Sequence, residues 1–421
     1  MPRQTYSIAL GLATLACGAA QAQQPVQVVK PPQAQVWIDV ATFGGFGMPA
    51  GGGNPMAMIG SLFGRGGGSG GNTFGQTQTG GNGRWVDVTL YTRNNPQLTE
   101  AQQAVPAGFL SPALKLQSPK QSKDTAPEPG EERVIEPEHE RPKGKMLLFW
   151  GCGDTVRAGQ PRVVDFATAS PADLAKFFQS RRATQRGTHS AVGRPAWPSA
   201  DDARMVPAQA SLVGEHQVTG SGVPEGLRFQ IPAGQDLMPA IALKQTAQPA
   251  GSTLLEWQAL PTARAYFVSA MGAREGAADS GEMVMWSSSE QPDMGFGLID
   301  YQTNPAVDRW LKEQVLLVPQ TTRCAIPKGV FSGQGAMVRM IAYGNELNLA
   351  QPPRPTDPRV AWEPVWAAKI RVKSQTTAIL GMEGGMGMMG GAEAPGPAPA
   401  ASEPEAKKPG VKDLLRGLLG R

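Results

Sequence analysis

Soft sulfur ligands are the first chemistry the chain offers. Seven of its 17 methionines, Met48, Met56, Met58, Met382, Met386, Met388 and Met389, fall in glycine-rich segments. Three of these, Met382, Met386 and Met388, are spaced so that their thioethers could converge on one Cu(I) ion. No histidine accompanies them, and the plainer reading makes methionine a flexible apolar bead for partner contacts. The stretch Gly385 to Gly390 spells G-x-G-x-x-G, but a Pro-Ala tail follows where a dinucleotide site needs a helix N-terminus. No cofactor is therefore assigned. Histidine is scarce: His139 lies in a charged run, His189 in a polar loop and His216 on an expected strand. H-E-x-x-H, C-x-x-C, G-x-S-x-G and P-loop signatures do not occur, so a hydrolase would have to assemble its groups in space around His189 or His216. Asp201, Asp202, Glu282 and Asp293 are the carboxylates that could serve as acid and base, although surface charges are their commoner fate. No catalytic residue is assigned.

The chain's N-terminus says where such chemistry would operate. Arg3 precedes an apolar run from Ser7 to Ala16, and Ala20-Gln21-Ala22 has the small-x-small pattern of a signal-peptidase site. Residues 1–22 are expected to be a signal peptide, with the mature chain starting at Gln23 in the periplasm or outside the cell. Cys17 offers the alternative of a lipid-tethered protein, with Thr14 standing where the lipobox wants leucine. In that oxidising setting Cys152 and Cys324 either form one disulfide or sit apart as small buried hydrophobes.

Elements able to position these residues follow from periodicity. Gln35 to Thr42 and Arg84 to Thr92 alternate in the manner of half-buried strands, and Trp37-Ile38-Asp39-Val40 echoes Trp85-Val86-Asp87-Val88, as neighbouring strands with equivalent faces would. Lys145 to Gly151 and Pro161 to Phe166 read as short buried strands. A helix follows, capped by Ser170 with Pro171 and Asp173 in its first turn and Leu174, Phe177 and Phe178 toward the core. These make an N-terminal β domain, residues 23–182, a small sheet with one helix. It is interrupted by insertions at 44–83 and 111–145 that are expected to be disordered, because glycine or charge replaces apolar surface there. Residues 183–211, dotted with Pro, Ser and Ala, read as a linker.

From 212 to 373 short apolar runs recur between turn signals, the pattern of a β-sandwich. A short helix is expected from Asn304 to Lys312, with Val307, Trp310 and Leu311 on its apolar side. Leu255-Glu256-Trp257 to Pro261, followed by Tyr266-Phe267-Val268, resembles the second and third strands of a fibronectin type III domain. Val338 to Glu346 is similar to that family's sixth strand. The resemblance implies a binding or scaffolding module and no reaction. Beyond it, 374–410 is expected to be a disordered tail, and 411–421 an amphipathic helix. Its stripe is Val411, Leu414, Leu415, Leu418 and Leu419, with Lys412, Arg416 and Arg421 away from it.

The fold class is thus mainly β, with Gly/Pro-rich disordered segments; Gly 52 and Pro 38 in 421 residues fit that mixture. A net charge of +4, dispersed among acids, gives no nucleic-acid footprint. The composite expectation is an exported, envelope-associated binding or structural protein. Its C-terminal helix would meet another envelope protein or an anionic membrane surface. A hydrolase of envelope polymers and a methionine-based copper binder are the alternatives.

Overall fold

Among the described residues the backbone forms sixteen strands: β1 (Ala34–Gly45), β2 (Gly83–Thr92), β3 (Glu100–Ala104), β4 (Ala113–Gln117), β5 (Lys145–Trp150), β6 (Arg162–Asp165), β7 (Ala196–Trp197), β8 (Gly214–Gly220), β9 (Arg228–Ile231), β10 (Lys244–Ala247), β11 (Thr253–Glu256), β12 (Ala265–Arg274), β13 (Glu282–Ser287), β14 (Arg323–Ile326), β15 (Met337–Gln351) and β16 (Trp366–Ile379). Three helices join them: α1 (Gln76–Thr79), α2 (Pro171–Phe177) and α3 (Asn304–Lys312). The computed structural model describes residues 27–45, 72–79, 81–120, 144–184, 187–274, 282–331 and 335–382. The expected signal peptide with Cys17, the thioethers of Met386 and Met388, and the C-terminal stripe of Val411, Leu414, Leu415, Leu418 and Leu419 lie outside them. Among the described residues no helix is long and apolar enough to cross a membrane.

The protein is mainly β. Thirteen strands form one sheet in the order β6-β5-β13-β12-β15-β16-β1-β2-β7-β4-β3-β8-β9, and β10-β11-β14 form a second. Alternation explains how the two pack. Val36, Ile38 and Val40 of β1, Ile370 and Val372 of β16, Val338 and Met340 of β15, and Tyr266 and Val268 of β12 point to one face. There they share a core with Leu255, Trp257, Cys324 and Ile326 from the three-stranded sheet. Cys152 and Cys324 are joined in a disulfide.

Strands expected in two separate domains interleave in the large sheet. The β1 strand pairs in parallel with β16, and β5 pairs in parallel with β13. The described residues belong to one compact unit. Both edges of the four-strand run β13-β12-β15-β16 are thereby covered by strands from the N-terminal part, which satisfies backbone groups that an open edge would leave unpaired. The far end of the sheet takes in β8 and β9, whose sequence had been grouped with the sandwich. They extend from β3 instead. The 183–211 stretch is no simple linker, since it carries β7, in which Trp197 is fully buried. Parts of the expected disordered stretches are likewise ordered: α1 within 44–83, β4 within 111–145, and the end of β16 past Lys373.

The helices cover the second face of the sheet. Ser170 and Asp173 form a capping box on α2. Phe177 is buried against Met146, Leu148 and Met285, while Phe178 lies just past the helix and stays partly exposed. Thr303 is the cap residue of α3, and Val307 and Trp310 pack on Phe267, Ile341 and Tyr343. Between α3 and the small cluster of Ala41, Phe43 and Trp85, that same face holds charges.

Candidate functional site

Strands β1, β2 and β16 bring alternate residues to this second face: Trp37 and Asp39 from β1, Asp87 and Thr89 from β2, and Lys369, Arg371 and Lys373 from β16. The register sets Asp39 opposite both Asp87 and Arg371. Two like charges opposed across strands repel, and the protein answers in two ways. Arg371 grips Asp39 with a two-pronged ion pair, Nε to Oδ1 at 2.7 Å and Nη2 to Oδ2 at 2.6 Å. The backbone N–H and hydroxyl of Thr188 donate to the same Oδ2 at 3.0 and 2.9 Å. Asp87 accepts from the N–H of Gly75 at 2.9 Å and from the N–H of Thr77 at 3.1 Å, and also from the Thr77 hydroxyl. Lys373 reaches Asp300 at 3.4 Å. The ring of Tyr301 lies 4.4 Å from the Arg371 guanidinium carbon and 4.3 Å from the Lys373 nitrogen, two cation–π contacts on one buried ring.

Burial governs the protonation of this cluster. Burial first, and then the charge of Asp39, raises Asp87 to about 6, against the pull of its three donors. Burial lowers Lys373 in spite of Asp300 and Asp39, and raises the Tyr301 phenol well above its usual value. A carboxyl whose folded value is about 6 and whose ordinary value is 3.8 binds more protons folded than unfolded between those limits. Its contribution to stability therefore falls as pH rises through that window and is flat above it, by about 3 kcal/mol in total. Urea unfolding of the wild type and of Asp87→Asn across the window should show the difference between them change by this amount. A constant difference refutes the assignment.

The segment that covers the cluster also builds a cleft. Gly187 sits so close to the ion pair that an added Cβ would stand 2.7 Å from Arg371 Nη2, so a larger residue there would have to displace the guanidinium. Thr188 is tied to Asp39, and eight residues later Ala196 and Trp197 pair with Thr89 and Val88 of β2. The loop between is thus fixed at both ends. It holds His189 and Arg194 above two rungs of the sheet, Gln35 with Tyr91 and Trp37 with Thr89. These six residues line a cleft of about 420 Å³. Arg194 stacks on Tyr91, 4.5 Å from guanidinium carbon to ring centroid. A larger cleft of about 940 Å³ opens on the other side of the loop, between Ser190, Val192 and the Ser199 to Ala203 turn.

The residues singled out from sequence fall elsewhere. His216 is buried and stacked on Phe229; Gln103 Nε2 lies 2.9 Å from its Nδ1, and its Nε2 donates to the Leu212 carbonyl at 2.8 Å. Both ring nitrogens are thus engaged, and burial lowers its pKa. His189 is exposed at the cleft, its Nδ1 3.2 Å from the Gly187 carbonyl. Asp202 and Asp293, read as surface charges, are buried and paired, with Arg204 at 2.6 Å and Arg181 at 3.1 Å. Asp201 bonds Gln117 at the exposed surface and Glu282 begins β13; the structure does not bring these carboxylates together. Met382, the one described member of the methionine trio, is 53% exposed. Sequence reasoning missed Arg371, Lys373 and Arg194. The alternation of Lys369, Arg371 and Lys373 along one strand face was the available signal. No family model, curated protein or solved structure matches the chain.

Proposed function

We propose that this is an exported, envelope-associated binding or scaffolding protein with no catalytic role of its own, built on a fibronectin III-like sandwich over residues 244–379. Support for the sandwich comes from strand count and order. Counting from β10, seven strands divide into a three-stranded sheet, β10-β11-β14, and a run of four, β13-β12-β15-β16. In that count β11, β12 and β15 are the second, third and sixth strands, the positions their sequences resemble. The observation that carries binding over catalysis is the state of the buried acids. Asp39 takes four donated hydrogen bonds and Asp87 three, so both acids are engaged within the fold, while the accessible polar groups surround an aromatic-floored cleft. The Val411 to Arg421 segment supplies the contact with an anionic membrane surface or another envelope protein.

Cell fractionation with intact-mass measurement tests this reading. A chain beginning at Gln23 and recovered with the envelope supports it. An acylated chain beginning at Cys17 replaces free export by lipid tethering. A chain that keeps Met1 and stays in the cytoplasm overturns export, and release of soluble fragments from purified envelope polymer overturns the non-catalytic role.

A further inference from the structure

We propose that the cleft of Gln35, Trp37, Thr89, Tyr91, His189 and Arg194 is a binding site for an anionic saccharide; the inference deepens the envelope-binding reading and rests on it. Its volume of about 420 Å³ lies within the range of small-ligand sites. Trp37 and Tyr91, diagonal neighbours on adjacent strands, line the floor with aromatic rings; Arg194 covers one face of Tyr91, and a pyranose C–H face would pack on the aromatic surface that the neighbouring cations leave open. Donors in the cleft lack acceptors. The indole N–H of Trp37 is buried without a partner, and among the described residues neither the Arg194 guanidinium nor the Gln35 side chain makes a hydrogen bond or ion pair within the protein. An oxygen-rich ligand supplies what they lack.

Charge fixes the sign of that ligand. The acid nearest the floor, Asp39, is neutralised by Arg371, and Lys369 beside Trp37 is paired with Glu346 at 3.5 Å. Arg194 is left as the uncompensated charge of the cleft, and it favours a carboxylate. A peptide strand is disfavoured because beneath the cleft β1 is hydrogen-bonded on both sides, to β16 and β2, and β2 is covered from Val88 to Leu90 by β7 and the Pro195 carbonyl. The roof is held before the ligand arrives, by Thr188 on Asp39 and by the Leu90 N–H donating to the Pro195 carbonyl at 2.9 Å. A site set in advance loses little ordering entropy on binding.

Calorimetric titration of the full chain with digalacturonic acid and with the corresponding neutral galactose disaccharide tests this. The acid should bind about tenfold more tightly than the neutral sugar. Arg194→Leu should abolish that preference while retaining weak binding of both. Tyr91→Ala should weaken both by about tenfold or more, with thermal melts showing that each variant stays folded. Binding of neither sugar, or a preference that survives Arg194→Leu, overturns the proposal. Fractionation of the Tyr91→Ala chain separates the two readings. If wild type fails to bind either sugar yet both chains are recovered with the envelope, the cleft assignment falls and the envelope reading stands. Should wild type bind with the stated variant pattern but remain outside the envelope fraction, the site stands and the envelope reading falls.

Discussion

Asp39→Asn is expected to lower the unfolding free energy by about 3–5 kcal/mol, measured by urea denaturation at neutral pH. The carboxylate it removes is the partner of Arg371, whose guanidinium is buried with it. Removing one member leaves the other charged, out of water and beside the equally buried Lys373. Asparagine preserves the shape, so the loss reports charge and not a cavity. Replacing both members, as Asp39→Leu with Arg371→Met, should cost less than either single change, because no uncompensated charge remains. A double variant as unstable as the sum of the singles would show that the pair acts through packing. The single variant has a second expected readout, since Thr188 loses its anchor. Amide exchange in residues 187–194 should rise more than in β10 and β11, which lie in the other sheet.

Reducing the disulfide should have an effect of similar size by a different route. Cys152 and Cys324 are 172 residues apart, and closing so long a loop limits the unfolded chain by about 5 kcal/mol in the chain-entropy account. The bond also has a local task. Cys152 follows β5 while Cys324 lies in β14 of the opposite sheet, with the N–H of Gly153 donating to the Ala325 carbonyl at 3.0 Å. The clasp fastens the strand added beside β13 to the three-stranded sheet. Cys152→Ala with Cys324→Ala, or wild type in reductant, should unfold at a lower urea midpoint, and exchange in β5 and β6 should rise first. A shift below about 1 kcal/mol would mean that the backbone contacts alone hold the strand.

How much of this was legible follows from where the determinants sit. The β1 and β2 strands could be read because their signals are local: alternating valines and isoleucine, and the repeated Trp-x-Asp-Val. Their being neighbours followed from the echo, and the register does place Asp39 opposite Asp87. What alternation could not give was the burial of the second face, since its covers come from residues 72–79, 187–188 and 300–302. Half-buried strands were therefore expected where both faces are covered. Residues 183–211 looked like a linker because their Pro, Ser and Ala content lacks periodicity, and a two-residue strand is too short to show any. Trp197 alone marked it. The helices fared better: Ser170, Pro171 and Asp173 act within one turn, so the capping box was readable. The cleft was not, because Trp37, Tyr91, His189 and Arg194 meet through the β1–β2 register and a loop some hundred residues further on. The interleaving of the two expected domains was hidden for the same reason, since parallel pairing leaves no mark in either strand.

That interleaving has a consequence for synthesis. Asp39 and Arg371 are 332 residues apart, yet their strands are neighbours. At a ribosomal pace of about 5–20 residues per second, β1 would wait roughly 15–65 seconds for β16 to be made. Through that interval one edge of β1 has no final partner, and the pairing is of the non-local kind that forms slowly. A nascent chain that cannot close its central sheet until β16 is made stays open for that whole interval, which is the state that the export proposed above would require at a translocation pore. The topology that locks the finished protein together thus also delays its locking until β16 has been made.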